Sequence, residues 1–570
     1  MFSALPLAFL LLLDVSVGEC NTASHLVRRS AVERPDIFLQ QLSRTSNLGP
    51  RDYSEANASS TVLPLALSDD GSSYYTVLQA GNISFRVAID TGSSDFWLLS
   101  SACSESDACK SAPVYPLLYR SPSFGVINEN HTVFSLSFAD GSSSSGFLAT
   151  ETVQIGNLTS ANQVFGLVNS STVSLDSDIS GVLGIGFPRL STFSSLYVNS
   201  TPFVSGLAQE GKLNYPLFGF SLSRDSGGTI ALGAIDANVA QNLSAIEWHK
   251  VMPFSPFGNE SDSSSYLQWV IRLPEIGANG TNIETEPTYP NITQTSLALI
   301  DVGTNGIFGP YQDVARLFEL MGEARLVDAE IGQWAVSCDT QQVLTFNFGS
   351  QRNLTLQPTD YLIGPVSSNP TSCLAWPRAL QNSGDGIDWQ LGTPFLRTVY
   401  SIFSFGINDK EIPMVGFYPL SNVTTITENA TEISSFFSSA RATIATTLPN
   451  SLLPIPSATT PSYIFNTSVP ATIGAIVTNA LGDDNYSAIL TGDIVNASAL
   501  PVITPPPTLV TLILTDKSGA VSTSLEHVST SSVALGIPPG QSSAFHSVGS
   551  ISMSFLIGGL SILCGMLSIV

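Results

Sequence analysis

The sequence predicts an all-β, two-lobed body between Val62 and Tyr418 of a 570-residue chain, and three observations carry that prediction. Short apolar runs such as YYTVLQAG, ISFRVAID, FSLSFADG, LTFNFGS and SIFSFGI alternate with clusters of Gly, Ser, Asn and Asp, the pattern of strands bounded by turns. Helical patterning is sparse, with VARLFELMG at Val314–Gly322 the best candidate for a short surface helix. An apolar strand running into Asp-X-Gly-Ser/Thr occurs twice, as VAIDTGSSDFW ending at Trp97 and LALIDVGTNGIFG ending at Gly309. The two aspartates, Asp90 and Asp301, lie 211 residues apart, a separation that fits duplicated lobes each giving one carboxylate to a shared cleft.

In chain order, FSALPLAFLLLL at residues 2–13 is too short to span a bilayer comfortably and is followed by small residues near Val17 and Gly18, which predicts a signal peptide over 1–19. Residues 20–61, with a dibasic step at Arg28-Arg29, read as a propeptide or flexible segment. A first lobe is expected over 62–250 and a second over 251–419. After Tyr418 the composition shifts to Ser, Thr, Ala and Pro, as in SLLPIPSATTPS and PVITPPPTLV, so 420–545 is expected to be an O-glycosylated stalk, although 469–514 is more apolar than most linkers. The closing SMSFLIGGLSILCGMLSIV has no Lys or Arg after it, and small residues precede it at Gly540 and Ser542-Ser543-Ala544. This predicts a glycosylphosphatidylinositol attachment signal over 546–570, with a plain transmembrane tail as the other reading.

Only 12% of residues are charged, and sixteen Asn-X-Ser/Thr sequons run from Asn57 to Asn496, a secretory composition. With 45 acidic and 21 basic residues the net charge of -24 would repel nucleic acid and anionic headgroups, so neither is an expected partner. Four cysteines stay in the body. Cys103 and Cys109 bracket a short loop and Cys338 and Cys373 are 35 positions apart, so two local disulfides are the economical pairing, whereas the absence of Cys-X-X-Cys spacing argues against zinc. No metal or organic cofactor is called for, and monomer is the default state.

The paired motifs carry the chemistry. Each strand fixes an aspartate at its end, the glycine beside it lets the backbone turn, and the next hydroxyl can bond the outer carboxylate oxygen. Two carboxylates about 3 Å apart cannot both ionise cheaply, so they share a proton and serve as one acid and one base around a single water.

At these residues the chain resembles the pepsin-like aspartic peptidases, and the resemblance runs from roughly Tyr74 to Tyr418. Trp97 follows the first Asp at the family's spacing, and the Cys103 to Cys109 loop comes next. FADGSSSSGFLATETVQIG looks like the family's flap hairpin, SGVLGIGFP at Ser180–Pro188 like the segment before the interlobe region, and WQLGTPFLRTVYSIF at Trp389–Phe403 like its closing element. Cys338 with Cys373 resembles the second-lobe disulfide. The resemblance implies a bilobal pepsin-like fold of two β-barrel-like lobes and an aspartic endopeptidase, cutting extended polypeptides at acidic pH on the extracellular face of the plasma membrane or cell wall. Asp90 and Asp301 would be the catalytic pair, supported by Thr91, Gly92, Ser93, Gly303 and Thr304. Phe138, Asp140 and Gly141 would belong to the flap, with Gly141 giving the bend and Asp140 available to the substrate backbone.

Two positions depart from the family. Val302 replaces a hydroxyl residue that reaches across to the opposite loop, so Thr91 is expected to lack its symmetrical partner. Phe138 stands where the flap presents a tyrosine and cannot donate that residue's hydrogen bond. These departures are the basis of the alternative reading, a weakened or inactive surface binding protein of the same fold. A structural wall glycoprotein would fit the stalk and sequons but leaves the paired motifs unexplained.

Overall fold

In a computed structural model of the chain the described residues run from Ala58 to Gln541, apart from 104–106, 120, 129–131, 199, 226, 259–264, 421–427, 441–442, 472–485, 492–493, 506–508, 516–520 and 528–533. Strands dominate, as the alternating pattern predicts. The readings made for residues 1–57 and 542–570, including signal peptide, most of the propeptide and the C-terminal anchor, lie outside the described residues. No helix among the described residues is long and apolar enough to cross a membrane.

Each aspartate sits in a copy of the same strand arrangement. In the first lobe Ile83–Asp90 runs parallel to Gly181–Gly184, with Asp90 opposite Gly184, and Phe96–Leu99 pairs antiparallel on the far side of Gly181–Gly184. In the second, Ser296–Ile300 runs parallel to Trp389–Leu391, and Ile307–Pro310 pairs antiparallel on its far side. A strand covered on both faces reads as a near-continuous apolar run, broken here by Arg86, which pairs with Asp178, and by Ser296. FRVAI before Asp90 and SLALI before Asp301 are buried throughout, so the cleft's two carboxylates stand on rigid supports.

A shared sheet joins the halves. Leu217–Ser223 pairs with Gly227–Leu232 on one edge and Val399–Ser404 on the other, and Val399–Ser404 pairs in turn with Met414–Pro419. Beneath it lies an aromatic core drawn from both halves: Phe218 stacks on Phe403 at 5.0 Å, and Phe187 lies 4.2 Å from Trp269. The indole of Trp269 donates to Ile185 O at 3.2 Å, so the connection into the second half is bonded to the segment beside Asp90.

The expected helix is present but begins three residues early, at Tyr311–Glu319. Pro310 caps it, and Val314, Leu317 and Phe318 are buried while the opposite side is solvated. Proline sets the start because its ring fixes φ and it lacks an N–H to leave unsatisfied.

Within 420–545, the range expected to be a stalk, described residues pack against the lobes. Helix Ala430–Ala440 buries Ile433 and Phe437. Ile444 bridges to Val366, Val502–Ile503 adds a parallel strand to Ile235–Asp236, and Gly536 N–H donates to Ser84 O at 3.0 Å beside Pro113. Glu411, only 2% exposed, accepts at one oxygen from Tyr215 Oη at 2.6 Å and from the backbone N–H groups of Ile489 and Leu490, both at 2.9 Å. Charge-assisted bonds to a buried carboxylate are among the stronger polar contacts, contributing about 1.5–3 kcal/mol each. Average composition concealed this packing, because a few well-spaced apolar residues (Ile433, Leu448, Tyr486, Leu490, Leu500) supply the anchors in an otherwise polar segment.

Candidate active site

The two Asp-X-Gly turns face each other with matching internal bonds. Gly92 N–H donates to Asp90 Oδ1 at 2.8 Å and Ser93 Oγ donates to Asp90 Oδ2. Gly303 N–H donates to Asp301 Oδ1 at 2.9 Å and Thr304 Oγ1 to Asp301 Oδ2 at 2.7 Å. Each carboxylate is thus oriented by one backbone and one hydroxyl donor from its own turn. The glycines also let the turns meet: a Cβ on Gly92 would stand 2.8 Å from Asp301 Oδ2, and one on Gly303 would stand 2.3 Å from Asp90 Oδ1.

Burial is the main force raising the Asp90 carboxyl to about 7, reinforced by the nearby Asp301 carboxylate and a hydrogen bond between the two; Ser93 and Gly92 oppose the rise. The pair therefore retains one proton across the acidic range, leaving one carboxyl able to donate to the other.

Val302 removes only part of the cross-lobe lattice. Thr91 Oγ1, fully buried, still accepts from Val302 N–H at 2.9 Å and lies 3.2 Å from Ile300 O and 3.0 Å from Asp301 Oδ1. The arm from the first lobe into the second is complete, while the Val302 side chain is buried in the apolar core and can offer no hydroxyl in return.

Over the first lobe, strands Val133–Ser137 and Ser143–Ile155 form the flap hairpin. Phe138 N–H donates to Ser142 O at 2.9 Å and Gly141 N–H to Phe138 O at 3.0 Å, with Gly141 at φ +82°. That backbone region is strained for residues bearing a Cβ, which is why glycine stands at the bend. Asp140 is exposed, and its Oδ1 accepts from Ser142 N at 2.9 Å and Ser142 Oγ at 2.6 Å, so this oxygen stabilises the turn itself. The Phe138 ring is 6.4 Å from that of Trp97.

Sequence reasoning missed a second layer. Ile185 N–H donates to Asp90 O at 2.8 Å and Gly186 N–H to Ser93 O at 2.7 Å, while Leu391 O accepts from Asp301 N–H at 3.1 Å. The signal was the pair LGIG and QLGT, each a strand running up to a glycine; a Cβ on Gly392 would stand 2.0 Å from Thr304 O. Asp95 was also missed. Its carboxylate accepts from Ser191 Oγ, Thr192 N and Phe193 N, and burial pushes it up to about 6 against those bonds.

Cys103 pairs with Cys109 and Cys338 with Cys373, at Cα separations of 5.3 and 4.9 Å, within the usual disulfide range. Such bonds persist in oxidising compartments, which marks a secretory-pathway or extracellular protein. Among the described residues no group of three or more His, Cys, Asp or Glu is arranged to hold a metal ion.

Two mirrored lobes, each delivering an aspartate to the same point, define an aspartic endopeptidase of the pepsin-like kind. The chain belongs to the eukaryotic aspartyl protease family, whose model matches residues 73–414. It is similar to an aspartic protease of Phaffia rhodozyma, 31% identical over 404 residues, covering 69% of this chain and 89% of that one. Gastricsin of Homo sapiens is 28% identical over 387 residues, 65% of this chain and 88% of the relative. Cathepsin E of Mus musculus is 28% identical over 421 residues, 70% of this chain and 97% of the relative. Membership in this family implies polypeptide substrates.

Proposed function

We propose that Asp90 and Asp301 are the catalytic pair and that the enzyme hydrolyses extended polypeptides at acidic pH through a water held between them. The observation that carries this reading is the mutual approach of the two turns, each glycine pressed against the opposite aspartate, with burial and the neighbouring carboxylate raising Asp90 so that the pair shares a proton. Asp301 takes a proton from the water as its oxygen bonds to the peptide carbonyl carbon, and Asp90 gives its proton to the carbonyl oxygen. Asp301 then delivers its proton to the amide nitrogen, the C–N bond breaks, and Asp90 recovers a proton from one hydroxyl of the tetrahedral carbon. Both carboxyls return to their starting states, so no covalent intermediate is required. Phe138 and Gly141 cover the substrate from the flap, Asp140 presents its carboxylate at the flap tip, and Thr91, Gly92, Ser93, Gly303 and Thr304 hold the pair. The completed Thr91 arm speaks against an inactive binding protein.

The secreted protein, freed of any propeptide, is incubated with a denatured protein between pH 3 and 7 beside Asp90→Asn, Asp301→Asn and a statine-type inhibitor. Acid cleavage that all three abolish supports the pair; cleavage by either variant at the wild-type rate overturns it.

The same reading makes the enzyme a monomeric glycoprotein held at the outer cell surface through its C-terminal segment. Among the described sequons, Asn82, Asn157, Asn169, Asn242, Asn279 and Asn291 are all exposed, which supports glycosylation. Treatment with a phosphatidylinositol-specific phospholipase should release the activity from cells; retention after complete digestion argues for a spanning tail.

A further inference from the structure

Ile464 lies between two walls. Its N–H donates to Gly384 O at 3.0 Å, its carbonyl accepts from Gly258 N–H at 3.0 Å, and Asn466 N–H donates to Pro256 O at 2.7 Å. Phe465, 5% exposed, bridges to Phe257 in antiparallel register, with ring centroids 4.9 Å from Phe257 and 5.0 Å from Phe254. Tyr463 packs 4.9 Å from Tyr289, whose hydroxyl donates to Pro461 O at 2.8 Å.

Each wall leads back to one aspartate. On one side Arg189 of the first lobe donates through Nη1 to Phe254 O at 2.9 Å and through Nη2 to Ser255 O at 2.9 Å, with its guanidinium 5.1 Å from the Phe257 ring and 5.9 Å from that of Phe465. Arg189 closely follows Gly186, which is bonded to Ser93 O in the Asp90 turn. On the other side Gly384 belongs to the connection that enters Trp389–Leu391, and Leu391 O holds the Asp301 N–H. Asp388 ties that connection down by accepting from Thr288 N and Leu297 N.

We propose that residues 463–466 are a clasp that holds the Arg189 side of the first lobe and the connection before Trp389 in the second at a fixed separation, making Phe465 a positioning residue for the Asp90–Asp301 pair. The inference rests on the protease reading of that pair. A segment hydrogen-bonded along both edges resists widening, because either wall can move away only by leaving backbone groups unpaired. The clasp lies beyond the 73–414 span matched by the family model.

The test compares Phe465→Ala and the milder Phe465→Leu with wild type in the full secreted protein, using Tyr486→Phe as a control. Tyr486 belongs to the same C-terminal segment but bonds Ala208 O and Leu213 O, away from the clasp. Thermal midpoints, kcat and KM on an eight-residue peptide, the pH profile of kcat/KM, and the affinity of a statine-type peptide are measured for each. The clasp predicts a tenfold or larger fall in kcat/KM for Phe465→Ala, partial recovery in Phe465→Leu, and a shift of the alkaline limb to lower pH by about half a unit or more. The shift has that sign because separating two carboxylates weakens the repulsion that raises the second ionisation. Tyr486→Phe should lower the midpoint and leave the profile in place.

Phe465 variants with lowered midpoints but wild-type kinetics, profile and inhibitor affinity would overturn the clasp. Should Phe465→Ala not fold, Phe465→Leu decides by the same criteria. A wild type that binds the inhibitor but never cleaves would count against the protease reading, and the clasp would then be judged on inhibitor affinity alone.

Discussion

Gly303 and Asp90 belong to different lobes, yet a Cβ on the glycine would stand 2.3 Å from the Oδ1 of the aspartate and 2.8 Å from its Cγ. That approach is closer than any side-chain carbon tolerates, so the requirement for glycine after the second aspartate comes from the partner carboxylate as much as from the turn.

Gly303→Ala is therefore expected to fold with a stability loss of about 1–3 kcal/mol, the usual cost of overpacking, and to lose at least about a hundredfold in kcat because Asp90 is displaced. Paired measurement of the unfolding midpoint and single-turnover rate checks this. Wild-type turnover would mean that the two turns can separate without consequence.

Val302→Thr should do the opposite. The Thr91 hydroxyl bonds Ile300 O and Val302 N–H across the lobes, and by the same pattern a hydroxyl at 302 is expected to reach Ile89 O and Thr91 N–H. Threonine matches valine in shape, so the gain is one buried hydrogen bond, about 1 kcal/mol. The unfolding midpoint in urea should rise; a fall would show that the new hydroxyl finds no partner.

Phe138→Tyr adds a hydroxyl to a ring already packed beside Trp97. Turnover should increase by about two- to tenfold, corresponding to roughly one hydrogen bond or less in the transition state. Steady-state kcat on a single peptide is the measurement, and unchanged or lower kcat would mean that the flap has adapted to phenylalanine.

The protein should be most stable in acid. Burial raises Asp90 to about 7 and both Asp95 and Asp388 to about 6, and it pushes Asp236, Asp313, Asp360 and Asp385 upward as well. Between the unfolded carboxyl value of about 4 and these folded values, the native state binds more protons than the unfolded chain, so stability is full at low pH and declines as pH rises toward 7. His249, lowered to about 4 by burial, works the other way below pH 6.5, but as a single group against seven. Denaturation midpoints at pH 4.5 should exceed those at pH 7.5. Asp90→Asn, which imitates the protonated carboxyl, should narrow the difference; a wild type more stable at pH 7.5 would contradict the account.

The paired Asp-X-Gly motifs and buried strands were legible because both obey short-range rules: continuous apolarity for a strand covered on two faces, and glycine where a turn meets another chain. Asp95 was illegible because its donors, Ser191, Thr192 and Phe193, lie almost a hundred residues away and look like an ordinary loop. The state of Thr91 was only half legible. Val302 announced a lost hydroxyl, but its backbone N–H, which every residue but proline carries, kept the other arm. In the C-terminal segment Ser, Thr and Pro set the composition, while a few residues such as Tyr486 and Leu490 are buried, a pattern that average composition does not display.

The bond from Gly536 to Ser84 returns the chain to the lobe in which it began. A tether attached beyond residue 541, as proposed, would therefore act at the shoulder of the first lobe beside Pro113, and its leash would be counted from there instead of from residue 420. If the proposed surface tether holds, such an enzyme would sweep a small volume and meet substrates that come close to its own surface, so its targets would be chosen by neighbourhood before they are chosen by sequence.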